Sequence, residues 1–237
     1  MNMAAEDQKR AAAGAAVAEV ADGMVVGLGT GSTAAFAIEA LGRRVRDGLA
    51  ITAVATSERT AAAAAAAGIR VIDMGEVAAL DLAIDGVDEI DPWCHAIKGA
   101  GGAMLREKVI AAAARRMVAI ADASKPVEQL GARPVPLEVL PLARAFVARA
   151  IAELGGAAVL RTDAAGAPIA TDGGNPILDA SFGPIEDAAA LAAALSAVPG
   201  ILGHGLFVSE IDAVYVAGTS GVECRTRKLP SRNEHAS

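Results

Sequence analysis

Between Ile84 and Lys108 the chain reads IDGVDEIDPWCHAIKGAGGAMLREK. Four acids, Asp85, Asp88, Glu89 and Asp91, fall within eight residues; Lys98 then heads a glycine run, and Glu107 follows near the start of an expected helix. Asp85 and Asp88 lie in an expected turn after a buried strand, where close carboxylates can divide acid, base and positioning roles if their surroundings separate their pKa values. Lys98 can stabilise a developing oxyanion, and the glycines let backbone amides approach a ligand closely. Glu107 could serve as a general base, and a helix N-terminus favours its ionised form. A surface turn and a solvated helix face are the competing readings; for Arg106 and Lys108 the solvated face is preferred. The carboxylates could also suit magnesium, but Lys98 would compete with a cation.

Further stretches place polar groups at strand ends. VVGLGTGSTAAFAIEAL runs from a strand through a glycine-rich turn into a helix, so exposed amides, the helix dipole and the hydroxyls of Thr30, Ser32 and Thr33 can hold a phosphate. It is neither GxxxxGK[ST] nor GxGxxG, which argues against ATP and dinucleotides. TSERT, at Thr56 to Thr60, reads first as a helix cap, and ADASK adds Lys125 near another strand end. His95, His204 and His235 show no ligand spacing and read as structural or surface residues. Trp93 and Tyr215 read as packing residues.

The elements that must carry these groups alternate. Helices are expected over about Glu6 to Val20, Thr33 to Arg46, the alanine run ending at Gly68, and Ala103 to Arg116. Strands are expected at MVVGLG, ITAVAT, RVIDM, LAIDG and MVAIAD, giving a mostly parallel sheet with helices on both faces. From about Gly131 the order becomes a strand PVPLEVL, a helix LARAFVARAIAELGG, strands AAVLRTD, PIATD and PILDASF, a helix IEDAAALAAALSAVPG, and a last strand ILGHGLFV. That order fits a split-βαβ unit. The segment IDAVYVAGTSGVECR then returns to the first sheet before the polar tail LPSRNEHAS. The expected organisation is α/β: a Rossmann-like domain of residues 1–131 and 208–237, with a smaller α+β (ferredoxin-like) domain of residues 132–207 inserted.

The 237 residues suffice for a sizeable core without metals or disulfides. With 3% aromatic residues and abundant alanine, that core is expected to be aliphatic. A net charge of −7 without a basic cluster argues against nucleic acid. Cys94 and Cys224 are far apart, which suggests a reducing cytoplasm and neither a zinc site nor a disulfide framework. The N-terminus does not read as a secretory signal, and no segment reads as a membrane span.

Taken in order, GLGTGSTA, TSERT, DGVDEID, KGAGGAMLREK, IADASK, PVPLEV, TDGGNPILD and PGILGHGLF closely resemble the successive motifs of the ribose-5-phosphate isomerase type A family, from Lys9 to DAVYVAGTSGVE. The resemblance implies interconversion of ribose 5-phosphate and ribulose 5-phosphate in the pentose phosphate pathway, without a metal or organic cofactor, by a homodimer or homotetramer. It implies that Thr30, Gly31, Ser32 and Thr33 line the substrate site, with Lys9 and Lys125 as phosphate contacts. Asp85, Gly86, Val87 and Asp88 correspond to the substrate-binding turn, and Lys98, Gly99, Ala100 and Gly101 to the facing loop. Glu107 matches the family's catalytic base, with Asp85, Lys98 and Asp88 completing the catalytic set.

Three positions depart from the family pattern. Ala100 stands where glycine is frequent, TDGGN replaces TDNGN, and GHGLF replaces ENGLF; the last two bear on packing or assembly before chemistry. A sugar-phosphate-sensing regulator is a competing class, but no N-terminal helix-turn-helix is evident. An amino-sugar-phosphate deaminase would call for a catalytic histidine in a matching motif, which is not found, and a CoA transferase for its own glutamate nucleophile context.

Overall fold

The computed structural model describes residues 4–227, so the tail LPSRNEHAS and His235 lie outside the described residues. Six α-helices are described: α1 (Ala5–Val17), α2 (Ser32–Arg46), α3 (Glu58–Ala66), α4 (Met104–Ala113), α5 (Arg144–Glu153) and α6 (Ala188–Ala197). The strands of the main sheet are β1 (Val25–Leu28), β2 (Thr52–Ala55), β3 (Arg70–Val71), β4 (Leu82–Gly86), β7 (Met117–Asp122), β13 (Ala213–Gly218) and β14 (Gly221–Thr226). They lie in the order β3, β2, β1, β4, β7, β13, β14, parallel throughout except for the final β13–β14 hairpin.

Strand alternation divides the core of this sheet. On β7, Val118 and Ile120 join the cluster with α1 and α2, whereas Met117, Ala119 and Ala121 join the opposite cluster with Ile110 and Ala111 of α4. β4 follows the same rule: Leu82 and Ile84 face α1 and α2, while Ala83 faces α4. Asp85, two residues beyond Ala83, therefore emerges on the α4 side. The core is aliphatic as expected, and Phe207 is its one fully buried aromatic among the described residues. None of the described helices is long and apolar enough to cross a membrane.

The second unit comprises β8 (Val135–Val139), α5, β9 (Ala157–Leu160), β10 (Ile177–Ser181), α6 and β11 (Ile201–His204). Its four strands are antiparallel in the order β11, β8, β10, β9, the split-βαβ arrangement, and they share a core with α5 and α6. The fold class is thus α/β, a mostly parallel Rossmann-like sheet with a smaller ferredoxin-like α+β unit.

Several expected boundaries change. PIATD forms only isolated bridges, Thr162 to Pro168 and Ala170 to Pro176. RVIDM keeps two residues of strand before a 3₁₀ turn at Met74–Glu76. ILGHGLFV is not one strand: it breaks at Gly205 into β11 and β12 (Leu206–Phe207). At Gly205 the chain passes so close to its neighbours that a Cβ would lie 2.1 Å from the Lys98 carbonyl oxygen. Within the expected loop, β5 (Glu89–Ile90) and β6 (Ala96–Ile97) form a three-stranded sheet with β12.

Candidate active site

The chain leaves β1 toward β2 on one side and returns in β4 on the other, so a crevice opens beyond the carboxyl ends of β1 and β4. There the turn from β1 into α2 meets Asp85. Gly29 is needed for this approach, since a Cβ would lie 1.9 Å from Asp85 Oδ1. Oδ1 accepts from the amides of Thr30 (3.1 Å) and Gly86 (2.7 Å), which fixes the carboxylate and leaves Oδ2 aimed at Lys98.

Lys98 is 2% exposed. Its Nζ lies 2.8 Å from Asp85 Oδ2 and 3.4 Å from Glu107 Oε2, and it also donates to the Gly86 carbonyl. Phe207 lies beneath the cation, its ring centroid 5.4 Å from Nζ. Isolated burial of an ammonium would be prohibitive. Burial alone pulls the Lys98 pKa down, but Asp85 and Glu107 outweigh it and raise the pKa above its ordinary value. Asp85 Oδ2 and Glu107 Oε2 lack hydrogen bonds of good geometry despite facing the ammonium, and Glu107, which lines the cleft, retains acceptor capacity toward a ligand.

Burial pushes Glu107 up to about 8, against the pull of Lys98 and with help from Asp85; Asp85 is likewise raised by burial. The helix N-terminus therefore does not set the ionisation of Glu107, contrary to expectation. A helix dipole contributes roughly 0.3–1 kcal/mol at the surface and up to about 2 when partly buried, whereas desolvating a carboxylate costs several. The result is a base held close to neutrality, with proton transfer in both directions accessible.

Thr30, Gly31, Ser32, Thr33, Gly86, Val87, Asp88, Lys98, Gly99, Ala100, Gly101, Glu107 and Lys125 line one cleft of about 190 Å³. Asp85 stands behind Lys98, outside this lining. Lys9 reaches the same turn from α1 by donating to Ser32 Oγ at 3.0 Å. Ala100 leaves the loop intact: its φ is not positive, and its amide donates to Asp88 Oδ2 at 3.0 Å. The other two acids of the run serve loops. Glu89 accepts from the amides of Gly131 and Arg133, while Asp91 accepts from those of Trp93 and His95 and pairs with the His95 ring.

TSERT caps α3, with Ser57 Oγ accepting from the Thr60 amide, and also backs Thr30 of the cleft lining. Thr30 Oγ1 lies 2.7 Å from the hydroxyls of both Thr56 and Ser57. That second role had one signal in the sequence, the position of TSERT at the end of a parallel strand. Arg161 and Asp179, whose contacts reach the Gly99–Ala100 loop, had none, because the link crosses between units.

Other readings need correction. Lys108 is not a solvated helix residue: Nζ donates to the Leu206 carbonyl (2.6 Å), pairs with Glu210 (3.1 Å) and lies 4.4 Å from the centroid of the Phe207 ring. Trp93 is not a packing residue, being 62% exposed. Tyr215 does pack, and donates to Glu19. His204 is structural. Its Nδ1 accepts from the Leu206 amide and Nε2–H donates to Ser196 Oγ, while burial and Lys108 lower its pKa to about 4. Asp172, which TDGGN and TDNGN share, accepts from the Glu58 amide and pairs with Arg106 across the units; the departure itself, Gly173, lies in the turn, its amide donating to Thr171 Oγ1.

The family model described as ribose 5-phosphate isomerase A (phosphoriboisomerase A) matches residues 52–221. The chain is 49% identical over 220 residues to ribose-5-phosphate isomerase A of Sphingopyxis alaskensis, covering 93% of this chain and 96% of that one. It is 51% identical over 223 residues to the corresponding protein of Rhodopseudomonas palustris strain HaA2, covering 92% and 96%. Among solved structures, ribose 5-phosphate isomerase A from Methanocaldococcus jannaschii superposes with a TM-score of 0.90 at 39% identity, over 94% of this chain and 100% of that one. A D-ribose-5-phosphate isomerase in complex with phospho-erythronic acid gives 0.92 at 36% identity, over 95% and 100%. With the family model, the relatives' sequences and the fold in agreement over most of its length, the chain belongs to the ribose 5-phosphate isomerase A family.

Proposed function

We propose that the chain is an aldose-ketose isomerase interconverting D-ribose 5-phosphate and D-ribulose 5-phosphate through an enediolate, in the non-oxidative pentose phosphate pathway. The observation that carries the mechanism is the buried Lys98 held between Asp85 and Glu107 beside a cleft lined by amides and hydroxyls. Ionised Glu107 takes the proton from C2 of the open-chain aldose, and its electron pair forms the C1–C2 double bond as the aldehyde oxygen becomes the enediolate oxygen. Lys98 and the Gly101 amide stabilise that charge. The hydroxyl proton passes from O2 to O1 through Lys98, whose ammonium Asp85 holds from behind, and protonated Glu107 delivers its proton to C1, which completes the ketose and restores the base.

Asp88 orients substrate hydroxyls and assists ring opening. The Thr30–Thr33 turn, Lys9 and Lys125 hold the phosphate, which fixes the reacting carbons against Glu107. Of residues 1–131 and 208–237, the described ones, 4–131 and 208–227, would form the catalytic domain, and residues 132–207 the insertion. The separate antiparallel sheet of the second unit supports this division, with Gly205 at the seam, while its core also takes in Ile97 and Leu130 of the first. Assembly as a homodimer or homotetramer in the cytoplasm completes the reading.

The test is conversion of ribose 5-phosphate by purified protein, with chelator present and no cofactor added. Rapid equilibration with ribulose 5-phosphate is the expected result. A folded protein that leaves ribose 5-phosphate unchanged would overturn the assignment.

A further inference from the structure

We propose that Arg161, which follows β9 in the antiparallel unit, is a positioning residue for the isomerisation, holding and polarising the Lys98–Gly101 loop. Its guanidinium has two sides at work. Nε and Nη2 form a bidentate pair with Asp179 of β10, at 2.8 and 2.5 Å. Nη1 donates to the carbonyls of Gly99 (3.1 Å) and Ala100 (3.0 Å). The fork geometry is one that a lysine cannot reproduce. Asp179 therefore sets the plane of the guanidinium, and the guanidinium sets two consecutive peptide planes in the loop that follows Lys98.

Those two peptides matter chemically. The Gly99 carbonyl shares its peptide with the Ala100 amide, which donates to Asp88. The Ala100 carbonyl shares its peptide with the Gly101 amide, which has no protein acceptor among the described residues and belongs to the cleft lining. A carbonyl that accepts from a cation leaves its peptide N–H a stronger donor, because hydrogen bonds in a chain polarise one another. Arg161 thus strengthens one amide that orients Asp88 and one available to a developing oxyanion, without touching substrate. The side chain is 15% exposed, so water competes little for these bonds.

The inference rests on the isomerase reading, and its test separates the two. Arg161→Met, Arg161→Lys and a control, Asp172→Ala, would be compared with the unaltered protein. The control loosens a different contact between the units, the one from Asp172 to Glu58 and Arg106. The expected result for Arg161→Met is a fall in kcat of roughly ten- to a hundredfold, the scale of a small misplacement of catalytic groups. KM for ribose 5-phosphate should stay within about twofold, since the phosphate contacts lie elsewhere. Binding of 4-phosphoerythronate, whose carboxylate imitates the enediolate, should weaken in step with kcat/KM.

Arg161→Lys should recover only part of the loss, and it provides the same comparison if Arg161→Met fails to fold. Asp172→Ala should lower the unfolding temperature while kcat stays near that of the unaltered protein. Wild-type turnover with unchanged kcat in both Arg161 variants would overturn the clamp alone, as would a loss of kcat in Asp172→Ala equal to theirs. Absence of wild-type turnover would instead sink the isomerase reading and the clamp with it.

Discussion

Replacing Glu107 by glutamine isolates the proton carrier. The amide nearly keeps the shape of the side chain, and Lys98 keeps its 2.8 Å contact with Asp85, so the site retains a paired cation. What disappears is the group that takes the C2 proton. Loss of a general base costs about 10²- to 10⁴-fold, equivalent to roughly 3–5 kcal/mol of barrier; kcat should fall by that factor with KM little changed. Exchange of the C2 proton with deuterium from solvent, followed by NMR, should fall in parallel because it requires the same abstraction. A second readout concerns stability. Glu107 is raised from 4.5 to about 8 on folding, so between those values the folded chain holds a proton that the unfolded chain has released. This group's favourable contribution is complete below about pH 4.5 and is lost as pH rises through about 8, at up to about 1.4 kcal/mol per pH unit. The glutamine variant should lose that slope and tolerate mildly alkaline buffer better than the unaltered protein. A kcat within about threefold of wild type, with deuterium exchange intact, would refute Glu107 as the base.

The same raised pKa fixes the acid limb of the rate profile: log kcat/KM should climb with unit slope up to about pH 8, and a profile flat from pH 5.5 to 8 would contradict the burial argument. Lys125→Ala should raise KM about ten- to a hundredfold, as expected for one lost charge-assisted bond to phosphate, and leave kcat closer to normal. An unchanged KM with a large fall in kcat would rule out its phosphate role. Gly29→Ala would place a methyl group 1.9 Å from Asp85 Oδ1; urea unfolding should show a loss of at least about 1–3 kcal/mol, and an unaltered midpoint would show that the turn can yield.

Local chemistry made much of this protein legible. The short β-branched and aliphatic runs VVGL, TAVA, LAID and MVAIAD sit at strand positions, and the short Gly-Thr-Gly-Ser turn leads from β1 into α2 as expected. The order of elements after Gly131 was enough to anticipate the split-βαβ unit, because crossover rules allow few ways to join such a series. The site residues were named through the family motifs: Lys98 and Glu107 do line the cleft and Asp85 pairs with Lys98, whereas periodicity alone did not separate Glu107 from Arg106 and Lys108.

Other properties depended on contacts between residues far apart in sequence. The ionisation of Glu107 followed from burial beside Asp85 and Lys98, and no sequence window contains the desolvation that reversed the helix-dipole expectation. Lys108, one position further along, is drawn inward by Glu210 and the Leu206 carbonyl across about a hundred residues of chain. Gly205 ends a run of good strand formers only because Lys98 passes against it, and Arg161 meets the Gly99–Ala100 loop only after two sheets have packed. Propensity and periodicity are properties of neighbouring residues, so the chain alone determined its elements and their order. Burial, charge pairing and close backbone approach are sums over three-dimensional neighbours, so only the packed structure decided which carboxylate sits near neutrality and which arginine reaches the site.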